Sequence, residues 1–176
     1  MRILIYTTHR TGSTSLGELL MTHYRCQYMR EGFFHHENFT KRIGTVDNIV
    51  MKLTPELVEY NSIRGLFDKC IVLTRENVVD QAESRVYAEH IKEWFIPYKV
   101  EKDFFETHKT EMDRMVSVIE SENRILSECM DCLHITYEEL YYGNGLEKVQ
   151  NYLNTQMILK LDSTKKYRDR KNTNLI

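Results

Sequence analysis

Hydrophobic residues along this chain fall into two kinds of run. Short continuous runs rich in β-branched and aromatic residues are typical of buried strands, whereas longer runs with apolar residues three or four positions apart are typical of helices. The first kind predicts strands at residues 2–8, 26–30, 48–53, 69–74 and 133–136. The second kind predicts helices at residues 14–23, in a short segment opened by Pro55, and at residues 76–94, 104–129 and 146–153.

Because these strands and helices alternate, the chain is expected to fold as an α/β protein, with a central parallel sheet flanked by helices. The clearest inner strand lies at residues 69–74, where the apolar residues are continuous. Ligands of such sheets bind beyond the carboxyl ends of the strands. Three connections are therefore of interest, namely residues 9–13, the turn after Lys52 and the loop after Leu73. Residues 33–42 show no period, and irregular segments of this kind often carry function.

Size and charge narrow the picture further. With 176 residues, 41% of them hydrophobic, the chain suits one domain, so residues 1–176 are expected to form a single unit. A net charge of −2 gives no general basic field, so polymeric nucleic acid is not indicated and any anion site must be local. The apolar run after Met1 is too short for a membrane span or a signal peptide, which favours a cytoplasmic protein. The sequence gives no indication of the oligomeric state.

The cysteines do not suggest a disulfide framework. The chain has four of them, at Cys26, Cys70, Cys129 and Cys132, which is too few and too scattered for a stapled scaffold. Cys129 and Cys132 form a lone C-x-x-C pair, whereas a structural zinc site needs four ligands. Reduced thiols, partly buried in the core, are therefore expected.

The connection after the first strand has the composition of an anion site. A strand, a tight polar loop and a helix start aim backbone N–H groups and the positive end of the helix dipole at one point. Ser13, Thr14 and Ser15 add hydroxyl donors, and Ser13 or Thr14 is expected to cap the helix. Arg10 adds a charged guanidinium. The segment is not a Walker A loop, which needs a second glycine and a lysine, and the alternative is an ordinary turn between strand and helix.

The wider stretch HRTGSTSLGELLMTH resembles the loop that holds the 5′-phosphosulfate in sulfotransferases that use 3′-phosphoadenosine 5′-phosphosulfate (PAPS). The carbohydrate sulfotransferases have the pattern R-[ST]-G-S-[ST]-x-[LF]-G-E-L. The residues that match it without a gap are Arg10, Thr11, Gly12, Ser13, Thr14, Leu16, Gly17, Glu18 and Leu19. The cytosolic branch has lysine in place of Arg10 and tryptophan in place of Ser15, so the likeness is to the carbohydrate branch.

This resemblance implies a P-loop-like fold and PAPS as the cofactor, with adenosine 3′,5′-bisphosphate as its product. Residues 10–15 are then expected to bind the phosphosulfate, and Arg10 also to act in catalysis. No metal is expected, because the loop and Arg10 can neutralise the leaving phosphate. The partner is expected to be a glycan or another small acceptor with a hydroxyl group.

A second match follows the inner strand, in VLTRENVVDQAESR. Many sulfotransferases have there an arginine, and a serine on the next helix, that bind the 3′-phosphate of PAPS. Arg75 and Ser84 are the corresponding residues, although their spacing of nine is one longer than the commoner eight. The alternative for Arg75 is a salt bridge at the helix start. Residues 135–140 also resemble the family segment that follows its last strand, which supports the fold more than the chemistry.

A base is needed because an alcohol is a weak nucleophile until its proton leaves. Glu31 stands twenty-one residues after Arg10, where carbohydrate sulfotransferases have the glutamate of a Leu-x-Glu-Pro segment, although Gly32 replaces the proline here. The rival bases are His35, His36 and Glu37. Lys52, near a strand end, is a further catalytic candidate, which would stabilise charge on the leaving phosphate.

The last candidate is the basic tail at residues 165–176, whose Arg168 and Arg170 are expected to close the nucleotide pocket, as a late basic loop does in related enzymes. A frayed terminus is the alternative. The expected function is sulfuryl transfer from PAPS to a hydroxyl. The alternatives are a P-loop-type nucleotide or small-molecule kinase, and a non-catalytic nucleotide-binding protein of the same fold.

Overall fold

A computed structural model of the chain describes residues 1–30, 43, 45–92 and 103–155. The strands in these ranges are β1 (Arg2–Thr7), β2 (Gln27–Met29), β3 (Ile49–Leu53), β4 (Lys69–Thr74) and β5 (Leu133–Thr136). The helices are α1 (Ser13–Tyr24), α2 (Tyr60–Ile63), α3 (Val78–Ile91), α4 (Phe104–Thr107), α5 (Lys109–Ser127), α6 (Tyr137–Tyr142) and α7 (Gly145–Tyr152). A 3₁₀ turn, Arg64–Leu66, follows α2. None of the described helices has the length and apolar character needed to cross a membrane.

The five strands form one parallel sheet in the order β2-β3-β1-β4-β5. In the register, Ile5 lies between Lys52 and Ile71, and Ile71 also pairs with Leu133. Helices cover both faces of the sheet. The prediction of an α/β protein with a central parallel sheet flanked by helices is therefore confirmed.

Two sequence predictions about helices differ from the structure. The long helix predicted at residues 104–129 is interrupted at His108, which separates α4 from α5 and has φ −106° and ψ 25°. The His108 ring stacks on Phe104 and its Nδ1 lies 2.7 Å from the Phe104 carbonyl oxygen, so side-chain contacts accompany this break in the helix. The helix predicted to open at Pro55 begins only at Tyr60.

The core lies in layers on both sides of the sheet, because successive strand residues point to opposite faces. Ile3 and Ile5 pack on the side of α1, α6 and α7. Leu4 and Tyr6 pack on the side of α2 and the end of α5. A third cluster joins α3 to α5.

The strand order places a topological switch point between β1 and β4. The connection from β1 leads through α1 to β2 on one side, whereas the connection from β4 leads to β5 on the other. Connections that diverge in this way leave a crevice at the carboxyl ends of the two strands, and ligands of open α/β sheets bind in such a crevice.

The start of α7 allows a direct stability test. A Cβ atom added to Gly145 would lie 2.7 Å from the Leu140 backbone nitrogen and 2.8 Å from the Glu139 carbonyl carbon. Because backbone atoms cannot move aside cheaply, Gly145→Ala should lower the free energy of unfolding by about 1–3 kcal/mol. Gly65→Ala is the matched control, since nothing lies within 4 Å of its added Cβ, and it should be neutral or stabilise by up to about 1 kcal/mol. Equal denaturation midpoints for the two variants would contradict the packing described for α6 and α7.

Candidate anion-binding site

The loop between β1 and α1 has an unusual backbone. Arg10 and Gly12 both adopt the left-handed conformation, with φ of 66° and 78°. Gly12 caps α1, so the expected cap by Ser13 or Thr14 is wrong, because the left-handed turn places these two residues inside the helix. Glycine has no side chain with which to bind the first N–H groups of the helix.

The first turn of α1 therefore presents unused donors. The N–H groups of a first helical turn have no partner within the helix. This turn lies wholly within the described residues and carries Ser13, Thr14 and Ser15 without an acidic side chain. Ser13 is buried, and Thr14 and Ser15 are half-buried. Backbone donors, hydroxyl groups and the helix dipole together favour an anion at this point.

Two tyrosines of α6 lie directly behind the loop. A Cβ atom at Gly12 would be 2.7 Å from Tyr141 Cε2 and 3.2 Å from Tyr137 Cδ2. The two rings stand with their centroids 4.5 Å apart. Gly12 is thus required both by its backbone conformation and by the close approach of these rings.

Buried hydrogen bonds attach the loop to its neighbours. Thr7 Oγ1 donates to the Leu73 carbonyl oxygen at 2.5 Å and lies 2.6 Å from Thr11 Oγ1. Gln81 of α3 donates through Nε2 to Thr8 Oγ1 at 2.5 Å and to the His9 carbonyl oxygen at 2.6 Å. The Thr11 hydroxyl is therefore occupied inside the protein, which leaves its backbone as the route to a ligand.

Arg10 and Ser84 are brought together by the fold. Arg10 Nε donates to Ser84 Oγ at 2.7 Å, so the loop after β1 is joined to the middle of α3. The resemblance to sulfotransferases predicts that the two residues bind different phosphate groups of PAPS. In the structure Ser84 is placed to orient the Arg10 guanidinium.

Arg75 lies beyond the end of β4, with a side chain that is only 10% exposed. Its Nη2 is 3.5 Å from Asp80 Oδ2 and its Nε is 3.8 Å from Glu138 Oε1. Both distances exceed the roughly 2.7–2.9 Å of a strong charge-assisted hydrogen bond. The guanidinium carbon also lies 4.7 Å from the ring centroid of Tyr137. The salt bridge proposed as the alternative for Arg75 is thus present, although with long distances between the charged atoms. The binding of a phosphate by Arg75 stays a prediction.

The start of α6 ties the loop after β4 in place. Thr136 and Glu139 form a capping box, with bonds of 3.1 and 3.0 Å between each side chain and the other's backbone nitrogen. The Glu138 carboxylate accepts the N–H groups of Glu76 at 3.0 Å and Asn77 at 3.4 Å. Residues 135–140 therefore hold in position the loop that carries Arg75.

A charge cluster built on the buried Arg85 and Glu122, which the sequence did not reveal, adjoins the site. Arg85 of α3 lies 3.1 Å from Glu89, 3.2 Å from Glu122 and in a short contact with Glu56. Glu56 also lies 3.7 Å from His9 Nε2. Only the spacing of Arg85 and Glu89 is visible in the sequence, as an i, i+4 pair. The other members come from distant segments, so nothing along the chain links them.

The cluster holds more carboxylates than cations, and this imbalance moves their pKa values apart. Burial raises the pKa of Glu122 to about 7, and the neighbouring Glu56 adds to the shift. The pKa of Glu56 is lowered, chiefly by the nearby His9 and then by its contacts with Glu122 and Arg85. Glu122 is therefore the group that holds the proton of the pair.

The remaining predicted residues divide into two groups. Lys52 is 7% exposed, and by strand alternation it lies on the same face of β3 as Val50, which packs in the core beside α1. The other predicted site residues lie outside the described residues, and their roles stay predictions; they are Glu31, His35, His36, Glu37, Arg168 and Arg170.

Within the described ranges, no group of three or more His, Cys, Asp or Glu side chains is arranged to hold a metal ion. The expectation that no metal is needed stays a prediction too.

Comparison with known proteins adds no assignment. No protein-family model matches this chain, and a search of curated proteins finds no significant match. What the structure itself defines is an α/β protein with a donor-rich loop at its topological switch point. The likeness to sulfotransferases rests on the residues of this chain alone.

The charge cluster predicts a specific pH dependence of stability. The native pKa of Glu122, about 7, is above its ordinary value of 4.5, so the folded chain holds an extra proton between these values. Its contribution to stability is complete below about pH 4.5 and is lost as the pH rises through about 7. Between pH 5 and 8, the wild-type chain should lose on the order of 2 kcal/mol more unfolding free energy than Glu122→Gln, which cannot ionise.

The measurement is urea denaturation at several pH values. Glu120→Gln, an exposed change on the same helix, is the matched control and should follow the wild-type curve. If the Glu122→Gln curve ran parallel to that of the wild type over the whole interval, the proposed proton at Glu122 would be wrong.

Proposed function

We propose that this protein is a sulfotransferase that moves a sulfuryl group from PAPS to the hydroxyl of a carbohydrate or another small acceptor. The observation that carries the proposal is the first turn of α1. It is capped by Gly12, carries three hydroxyl residues, and starts at the switch point between β1 and β4. Arg10 on one side and Arg75 on the other supply positive charge at the same edge of the sheet.

The chemistry of sulfuryl transfer suits this arrangement. As the acceptor oxygen attacks sulfur, the bond from sulfur to the bridging oxygen breaks and negative charge develops on the departing 5′-phosphate. Fixed N–H dipoles and a positioned guanidinium stabilise that charge without further reorganisation. We assign this task to residues 12–15 and to Arg10, with Ser84 holding Arg10 in orientation.

The 3′-phosphate is assigned to Arg75. Its present contacts with Asp80 and Glu138 are long, so a phosphate can displace them at modest cost. The same two carboxylates weaken the local positive field, which makes Arg75 a weaker anion site than the start of α1. The Tyr137 ring beneath the guanidinium keeps it in place while its partners change.

The kinase alternative is less well supported by these residues. P-loop kinases hold the phosphates of ATP with a lysine between the last glycine and the hydroxyl residue, and they need Mg²⁺. Here Ser13 follows Gly12 directly, and the charged residue precedes the glycine. A non-catalytic nucleotide-binding protein would keep the same contacts and lack turnover.

Calorimetry tests the assignment of the cofactor. Adenosine 3′,5′-bisphosphate should bind without Mg²⁺. Arg75→Ala should weaken this binding by about 10–100-fold, because a lost charge-assisted contact to a phosphate is worth about 1.5–3 kcal/mol. Binding of adenosine 5′-phosphosulfate, which lacks the 3′-phosphate, should change little. Arg2→Ala, at the opposite edge of the sheet, is the matched control.

Two calorimetric results would contradict the assignment. Binding of ATP that requires Mg²⁺, with no binding of the bisphosphate, would favour the kinase. An equal loss for both ligands in Arg75→Ala would make Arg75 a structural residue. If the bisphosphate binds normally but labelled sulfate never passes from PAPS to a broad panel of glycans and phenols, the protein is a non-catalytic binder.

The base can be tested by comparing carboxylate and histidine variants. Glu31→Gln keeps the shape of the side chain and removes its basic oxygen, so turnover should fall by about 10²–10⁴-fold with little change in PAPS affinity. The structure adds His9 to the rival bases, because its pairing with Glu56 resembles the carboxylate-oriented histidine of many active sites. His9→Asn, His35→Asn and His36→Asn should each cost little. The opposite pattern, in which one histidine variant loses turnover and Glu31→Gln keeps it, would identify that histidine as the base.

A further inference from the structure

Three of the four cysteines meet at the amino edge of the sheet, opposite the anion-binding loop. Cys70 is the second residue of β4, whereas Cys129 and Cys132 lie in the turn between α5 and β5. All three belong to, or pack against, the same hydrophobic cluster beneath the sheet. In the sequence only the Cys129 and Cys132 pair is visible, and the fold adds Cys70 to it.

The strand register brings Cys70 and Cys132 into disulfide range. Ile71 of β4 pairs with Leu133 of β5, and Cys70 and Cys132 are the residues that directly precede this first pair of the register. Neighbouring strands are about 4.8 Å apart, and the Cα atoms of disulfides are separated by about 4.4–6.8 Å. Each thiol also shifts the pKa of the other, as expected of two side chains that lie close together.

The surroundings give the two thiols different chemistry. Cys132 is half-buried, and its Sγ lies 2.9 Å from the Tyr60 hydroxyl oxygen. The pKa of Cys132 is lowered to about 7, first by the hydrogen bond with Cys70 and also by Tyr60 and the Arg64 charge. Cys70 is fully buried, and its hydrogen bond with Cys132 together with burial raises the pKa of its thiol. Cys132 is therefore the nucleophile and Cys70 stays protonated beside it.

Cys129 does not compete for this role. Its Sγ donates to the Ile125 carbonyl oxygen at 3.6 Å, one helical turn back. Burial raises the pKa of this thiol to about 12, so it carries almost no thiolate at neutral pH. Cys26 is distant in sequence from these three cysteines. Burial raises the pKa of its thiol as well, so it provides a reference.

We propose that Cys132 and Cys70 form a dithiol site that a hydroperoxide oxidises to an intramolecular disulfide. The Cys132 thiolate attacks one peroxide oxygen, the O–O bond breaks, and the other oxygen leaves and takes up a proton as water or an alcohol. The resulting sulfenic acid is attacked by the Cys70 sulfur, the S–S bond forms, and the hydroxyl leaves with the Cys70 proton as water. The two thiols together lose two electrons and the peroxide gains them.

The site lies at the opposite edge from the anion-binding loop and does not depend on the proposed sulfotransferase activity. The test uses the full chain, treated with hydrogen peroxide, alkylated, digested and mapped by mass spectrometry. The expected product has lost two hydrogens and contains a peptide that links Cys70 to Cys132. The disulfide between Cys70 and Cys132 should form to the same extent in Cys129→Ser and Cys26→Ser, which are the matched controls.

Two variants separate the steps. Cys132→Ser should leave Cys70 reduced, and Cys70→Ala should accumulate a sulfenic acid at Cys132 that a dimedone probe captures. In the wild-type chain at pH 7, iodoacetamide should alkylate Cys132 about ten-fold faster than Cys26, because far more of Cys132 is thiolate. A disulfide between Cys129 and Cys132, preferential oxidation of Cys26, or four thiols that survive peroxide would each overturn the proposal.

Discussion

The side-chain amide of Gln81 bonds to the loop after β1 at two points, and the geometry of the anion-binding site depends on these bonds. The amide is fully buried, and it reaches the Thr8 hydroxyl and the His9 carbonyl just before the two left-handed residues of the loop. A left-handed conformation at a residue other than glycine costs about 1–2 kcal/mol, and Arg10 adopts it. The two bonds from Gln81 before the turn, and the bond from Thr7 to Thr11 after Arg10, can offset that cost and so hold the loop in place before a ligand arrives.

The same helix organises most of the site. From α3, Asp80 contacts Arg75, Gln81 holds the loop, Ser84 contacts Arg10, and Arg85 joins Glu56 to Glu122. These positions recur at helical spacing and so lie along one side of α3. The helix therefore buries polar groups on the side where an ordinary surface helix would bury apolar ones, and its few buried apolar residues, Ala82, Val86 and Ala88, are small or medium-sized. The loops after β1, β3 and β4 are held relative to one another through this helix.

The sequence predicts those features of the fold and the site for which the evidence lies in neighbouring residues. The parallel sheet and the loop at its carboxyl edge followed from runs of neighbouring residues, since strand and helix periods are local properties. The prediction that Ser13 or Thr14 caps α1 is wrong, because the sequence alone does not distinguish a helix capped by a left-handed glycine from one capped by a hydroxyl residue that follows it. The contact of Arg10 with Ser84, and of Arg85 with Glu122, joins residues that are far apart in sequence. No period or spacing encodes such contacts, and only the packing of α3 against the loop and α5 creates them.

The most direct test of the account follows the backbone amides of the loop by NMR during titration with adenosine 3′,5′-bisphosphate in the absence of Mg²⁺. If the first turn of α1 binds the 5′-phosphate, the amide signals of residues 12–15 should shift most, followed by those of residues 75–77, next to the proposed 3′-phosphate. Amides at the opposite edge, such as those of Cys70 and Leu133, should stay in place. Saturating bisphosphate that leaves residues 12–15 unshifted would contradict the assignment of this loop as the anion-binding site.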